Sequence, residues 1–185
     1  MPDKTQPQAP APFRCDRLDG VYCGVLKIRA ANADLVARAG VAIGTALPAT
    51  PNTVLGTTPR ALWLAPGEWL IVQNRAFDGA EGRFAAALDG VTWHFADVTH
   101  GRTVFALSGR GVRAFLNRGT SLDLHPRIFA QGTCAQTLFA NIPALLHLID
   151  SEEPAFHLFV DASFEPYLAA WIARVNAVFD PEDQS

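Results

Sequence analysis

Apolar and polar positions alternate with period two along VYCGVLKI, Val21 to Ile28, which predicts a first β-strand. A short helix is expected next over NADLVARAG, with Asn32 as its cap, Asp34 near the positive end of the helix dipole and Gly40 as its stop. Pro, Thr and Gly dominate Gly44 to Pro59, which reads as a long loop. Ala61 to Val72 reads as a hairpin: Pro66 presets the first central position of a type II turn, Gly67 accepts the positive φ of the second, and Trp63 and Trp69 flank them. Phe77, Phe84 and Leu88 recur at helical spacing, and WHFADV is a strand.

The second half repeats the rhythm. RTVFALS predicts a strand and GVRAFLNRG a short helix with Val112, Phe115 and Leu116 on one face and Gly119 as its stop. CAQTLFANIPALLHLID predicts two strands joined near Asn141, and AFHLFV a third. Phe164, Leu168, Trp171, Ile172, Val175, Val178 and Phe179 form the stripe of a last helix, capped by Ser163 with Pro166 in its first turn. The order β-α-β-β-α-β followed by β-α-β-β-β-α predicts an α+β chain of two ferredoxin-like halves packed as one unit, residues 21–97 and 98–180. Residues 1–20 are expected to be a disordered Pro-rich tail and 181–185 a disordered end. The doubling is one of pattern, since no repeated sequence accompanies it.

Composition narrows the classes. No apolar run approaches the roughly 18 residues of a membrane span, and MPDKTQPQAPAPFR lacks the apolar segment of a secretory signal, so a cytoplasmic protein is expected. A net charge of −3 without a basic run disfavours nucleic acid. Only Lys4 and Lys27 among the 15 basic residues are lysines, and arginine is the cation suited to bidentate pairing at protein interfaces. Cys15, Cys23 and Cys134 are odd in number and lack a CxxC spacing, which argues for idle thiols over a disulfide framework or a zinc site.

The chemical candidates mostly fail on context. Gly109-Arg110-Gly111-Val112-Arg113-Ala114 matches G-x-G-x-x-A, but its strand alternates, its helix is too short and no acid follows about 20 residues on. His94, His100, His125, His147 and His157 show no metal-binding spacing; His147 and His157, in apolar strands, read as satisfied structural histidines. Asp97 and His100 bracket a turn, where an Asp ordinarily bonds backbone amides. No serine has a readable activating base, and nothing near Cys134 would depress its pKa. Neither catalytic, cofactor-binding nor metal-binding residues are therefore assigned.

SLDLHPRIF, Ser121 to Phe129, remains. Pro126 fixes its own φ and holds His125 extended, making a rigid corner, and Arg127 and Phe129 pair residue types favoured at partner hot spots. Arg110 and Arg113 oppose the dipole of the helix they begin, which suits an acidic group from outside. Arg110, Arg113, His125, Arg127 and Phe129 are the expected exposed contact set for a large partner. Truncating Arg127 or Phe129 is expected to weaken assembly more than it lowers the melting temperature.

The run from DVTHGRTVFALSGRGVRAFLNRGTSLDLHPRIFAQGTCAQTLFANIPALLHLI to FHLFVDASFEPYLAAWIARV, with APGEWLIV, resembles the gamma subunit of heterotetrameric sarcosine oxidase over roughly residues 60 to 180. Its distinctive pieces are LDLHP with Phe129, Gly132 and Cys134, and the Ser163-Phe164 helix start; Ala162 and Glu165-Pro166 vary the pattern there. The resemblance extends to the folate-binding domains of aminomethyltransferases, whose D-x-[ST] and G-x-x-A-x-x-F-L pattern is echoed by Asp97, Thr99, Gly111, Ala114, Phe115 and Leu116. It implies a complex with alpha, beta and delta subunits that converts sarcosine, tetrahydrofolate and O2 to glycine, methylene-tetrahydrofolate and H2O2. FAD, FMN, NAD and the folate site are then attributed to the larger subunits, and this chain to a docking role. The small subunit of N-methylglutamate dehydrogenase and a free-standing folate-binding protein are the other readings.

Overall fold

The computed structural model describes residues 12–179, so the Pro-rich stretch up to residue 11 and residues 180–185 lie outside the described residues. Ten strands and four α-helices follow in order: β1 Arg14–Arg17, β2 Tyr22–Ile28, α1 Ala33–Ile43, β3 Val54–Gly56, β4 Arg60–Ala65, β5 Glu68–Gln73, α2 Ala80–Ala87 and β6 Trp93–Asp97, then β7 Arg102–Ser108, α3 Val112–Leu116, β8 Cys134–Phe139, β9 Ile142–Asp150, β10 Ala155–Asp161 and α4 Glu165–Asn176. The strands make two five-stranded sheets, ordered β3-β4-β5-β2-β6 and β1-β7-β10-β9-β8, with every neighbouring pair antiparallel.

Local chemistry accounts for most boundaries. Asn32 caps α1, its side-chain oxygen accepting the Leu35 N–H at 2.9 Å. The helix does not stop at Gly40; it runs to Ile43 and closes on Gly44, at φ 83°, whose N–H returns to the Gly40 and Val41 carbonyls. Gly40 serves proximity instead, since a Cβ there would meet the Thr45 carbonyl oxygen at 2.9 Å. The expected hairpin forms as β4 and β5, with Gly67 at φ 74° and Trp63 paired with Trp69 across the strands. β3 lies inside the stretch expected to be loop, and Ser163 does not cap α4, which is preceded by a 3-10 turn over Ala162–Phe164 and carries no side-chain cap.

In the first sheet β2 sits between β5 and β6, the split βαβ arrangement of a ferredoxin-like half. The second sheet departs from it. β10 enters between β9 and β7, and β1, from the stretch expected to be tail, pairs antiparallel with β7 at the edge. Both β9 and β10 carry apolar residues on successive positions, PALLHLI and AFHLFV, and strands buried on both faces belong inside a sheet.

Three apolar layers result. Leu26, Ile28, Ala61, Trp69 and Ile71 of the first sheet pack against α1 and α2 through Leu35, Ala39, Phe84 and Leu88. Phe105, Leu107, Leu146, Leu148, Phe156 and Leu158 of the second pack against α3 and α4 through Phe115, Leu116, Leu168 and Ile172. Between the sheets, Cys23, Leu62, Leu70 and Val72 meet Val104, Cys134, Leu145 and Phe159. The layers are α/β/β/α.

Polar bonds stitch the two sheets. Val54 N–H donates to the Gly132 carbonyl and Cys134 N–H to that of Asn52, each at 2.9 Å. Gln136 Nε2 donates to the Leu64 carbonyl at 2.7 Å. Where the chain passes from β6 to β7, the Asp97 carboxylate accepts both the N–H and the hydroxyl of Thr99, and that hydroxyl oxygen accepts the Cys23 N–H at 3.1 Å. No helix among the described residues is long and apolar enough to cross a membrane.

Gly24 shows how tightly the first helix-side layer is filled. A Cβ there would lie 2.5 Å from the Phe95 ring and 3.0 Å from Phe77, whose rings pack edge-on with centroids 5.1 Å apart. Gly24→Ala is expected to destabilise the fold by about 1–3 kcal/mol through overpacking, read as a lower urea midpoint at unchanged m-value.

Candidate partner-docking corner

The segment between α3 and β8 folds into a corner whose rigidity comes from its own residues. The Asp123 carboxylate accepts the His125 N–H at 2.9 Å, and His125 Nδ1 accepts the Arg127 N–H at 3.2 Å, which leaves the ring proton on Nε2. The His125 carbonyl accepts the N–H groups of Ile128 and Phe129, both at 2.9 Å. Pro126, lacking an N–H, occupies the position that needs no donor. Below the corner, Leu124 and Phe129 are buried at 2% and 3% exposure, and Phe129 faces Phe156 with ring centroids 6.1 Å apart.

Arg113 fastens the corner to α3. One terminal nitrogen donates to the Leu124 carbonyl and, at 3.4 Å, to that of Phe129; the guanidinium lies 5.1 Å from the Phe156 ring centroid. Its Nε is buried without a hydrogen-bond partner, and burial draws its pKa below the ordinary arginine value. A guanidinium satisfies two carbonyls at once because its donors are fixed in a planar fork.

The five sequence-expected contact residues therefore divide. His125 and Arg127 are exposed on the corner and Arg110 is exposed before α3. Phe129 is not an exposed anchor, and this corrects the sequence expectation: the turn that presents Arg127 points the aromatic two residues on into the core. Arg113 is half-buried and committed to the corner's main chain. Ile128, 64% exposed beside Arg127, was missed. Its signal was an aliphatic residue between an exposed arginine and a core aromatic.

The other candidates are mostly engaged. Asp97 is tied to Thr99, as a turn Asp should be. Burial holds the thiols of Cys15, Cys23 and Cys134 up at about 12, so all three are protonated at neutral pH. Gly109 and Gly111, at φ 90° and 75°, form the turn into a five-residue α3. Among the described residues no group of three metal-ligating side chains occurs. The expectation that His147 and His157 are satisfied is corrected: Nδ1 of each ring is buried without a hydrogen bond.

The family pattern described as sarcosine oxidase, gamma subunit family matches residues 27–178, most of the chain. The chain belongs to the sarcosine oxidase gamma subunit family. It is 32% identical over 145 residues to sarcosine oxidase subunit gamma of Corynebacterium sp. (strain P-1), covering 76% of this chain and 69% of that one. To the subunit gamma of Arthrobacter sp. it is 31% identical over 140 residues, covering 75% and 68%. It is similar in structure to a chain of heterotetrameric sarcosine oxidase from Corynebacterium sp. U-96 in complex with pyrrole 2-carboxylate, with a TM-score of 0.80 and 25% identity over 90% of this chain and 85% of that one. Glycine cleavage system aminomethyltransferase T from Bartonella henselae, at TM-score 0.61 and 11% identity, covers 86% of this chain and 45% of its own, and shares the fold. This chain thus has a mixed α+β fold, with two five-stranded sheets, that is similar to both solved structures.

Burial assigns each corner residue a measurable role. Phe129→Ala is expected to cost about 3–5 kcal/mol of folding free energy. Arg113→Met, which leaves two carbonyls without their donor, is expected to cost about 1–3 kcal/mol. Arg127→Ala should stay within about 0.5 kcal/mol of the parent. Chemical denaturation of the three variants checks the order.

Proposed function

We propose that this chain is the small, non-catalytic gamma subunit of a heterotetrameric, flavin-dependent sarcosine oxidase, docking on and stabilising a large flavoprotein subunit beside beta and delta subunits. The complex converts sarcosine, tetrahydrofolate and O2 to glycine, methylene-tetrahydrofolate and H2O2, with FAD, FMN, NAD and folate held by the larger subunits in the cytoplasm. Membership of the gamma subunit family carries the reading. The state of the chain's own side chains supports it: the thiols are protonated and the Asp97 carboxylate is spent on a turn.

The corner is the docking element. His125, Arg127 and Ile128 stand exposed on main chain that is already fixed by Asp123, Phe129 and Arg113, so little conformational entropy is lost when a partner covers them. An arginine next to an aliphatic side chain suits a partner surface with a carboxylate beside an apolar pocket. Arg110 lies at its margin, and Arg113 and Phe129 act through it.

Co-expression with a large flavoprotein subunit and affinity capture tests the assignment. The chain should co-purify, and Ile128→Asp with Arg127→Ala should reduce capture at least tenfold while the melting temperature stays unchanged. If the parent chain elutes alone from a flavoprotein that is fully active without it, the subunit role is wrong.

A further inference from the structure

The layer between the sheets contains one polar feature that the docking role does not use. His147 on β9 and His157 on β10 are direct cross-strand partners, with ring centroids 6.4 Å apart and perpendicular planes. Strand alternation places them with Leu145 and Phe159 on the face toward the first sheet, while Leu146, Leu148, Phe156 and Leu158 point toward the helices. His147 is 4% exposed. Nδ1 of each ring is buried without a hydrogen bond.

Arg60, on β4 of the opposite sheet, is the cation that acts on both rings. Its Nε donates to the Thr57 carbonyl at 2.9 Å, which orders the side chain at the margin of the layer. Cys134 on β8 lies across from His147 and its thiol is neutral; Ala106 of β7 lies across from His157; no carboxylate is among the groups acting on either ring.

We propose that Arg60, His147 and His157 form an acid-sensitive latch between the two sheets: with both imidazoles neutral the layers close, and a proton taken up by either ring opens them. A protonated ring would be a second cation beside Arg60 in an apolar layer with no anion to balance it. Opening is local to the edge where β3 and β8 meet beside His147, while the rest of the inter-sheet contact and each sheet's own helix-side layer stay shut.

Burial first, and Arg60 second, lower the pKa of His147 to about 3 and that of His157 to about 4, against an ordinary 6.5. An opened layer frees the rings to take up protons at the ordinary value. The closed form is therefore fully favoured above pH 6.5 and loses its advantage as pH falls from there toward about 4 and 3. Each ring shifts the open-to-closed ratio by up to about tenfold per pH unit within that window.

Amide hydrogen exchange of the full chain tests the latch at the bonds that cross the layer, Val54 N–H to Gly132 and Cys134 N–H to Asn52. Corrected for intrinsic exchange, their protection should fall by up to about a hundredfold per pH unit below pH 6. Amides within the sheets, such as that of Leu26, should hold. His147→Phe with His157→Phe should flatten the fall, and Arg60→Gln, which keeps both rings but raises their closed-state pKa, should leave its onset near pH 6.5 and end it at a higher pH. A fall that persists unchanged in the His147→Phe, His157→Phe chain, or loss of protection at Leu26 in step with Val54 and Cys134, overturns the proposal.

Discussion

Two antiparallel sheets in one chain each have two faces to cover, and helices supply cover for only one face of each. The remaining faces are satisfied by each other. Cys23, Leu62, Leu70 and Val72 against Val104, Cys134, Leu145 and Phe159 are thus the contact on which the molecule depends, since without it two apolar surfaces would face water. The hydrogen bonds that cross this layer, from Val54, Cys134 and Gln136, fix how the sheets sit on one another, which an apolar contact alone leaves loosely specified.

The corner follows from that arrangement. β8 is an edge strand of the second sheet and borders the first through Asn52 and Gln136, so the segment that leads into it is anchored at its far end. At its near end α3 is short, and Arg113 does what a longer helix would do by holding the departing chain with its side chain. Phe129 fills the space beneath. The rigid exposure of Arg127 and Ile128 is therefore a property of the buried residues beneath them.

What the chain's pattern revealed, and what it hid, divides along the same line. The Asn32 cap, the Pro66-Gly67 hairpin and the β-α-β-β-β-α order of the later half depend on local chemistry and periodicity, and each forms as read. RCDR, Arg14 to Arg17, could not announce itself as a strand because only pairing with β7 makes it one. Gly40 and Gly44 look alike in sequence; the approach of Thr45 distinguishes a close-packing glycine from a helix stop. The neighbouring Arg127 and Phe129 suggested a joint surface, but a turn of bonds to one carbonyl sends them opposite ways. Tertiary direction, and not residue type, decided those cases.

The placement of β1 has a bearing on how this polypeptide could be divided. Its strand precedes the entire first sheet yet completes the edge of the second, so the two halves are laced together by the opening of the chain. Cutting the gene at the link between β6 and β7 would strand that ribbon on the wrong fragment and leave β7 with a bare flank. A circular rearrangement that moved the opening segment behind α4 would have to span from the last helix to the same flank, which Phe13, already lying against Phe179 at a centroid separation of 5.6 Å, leaves close at hand.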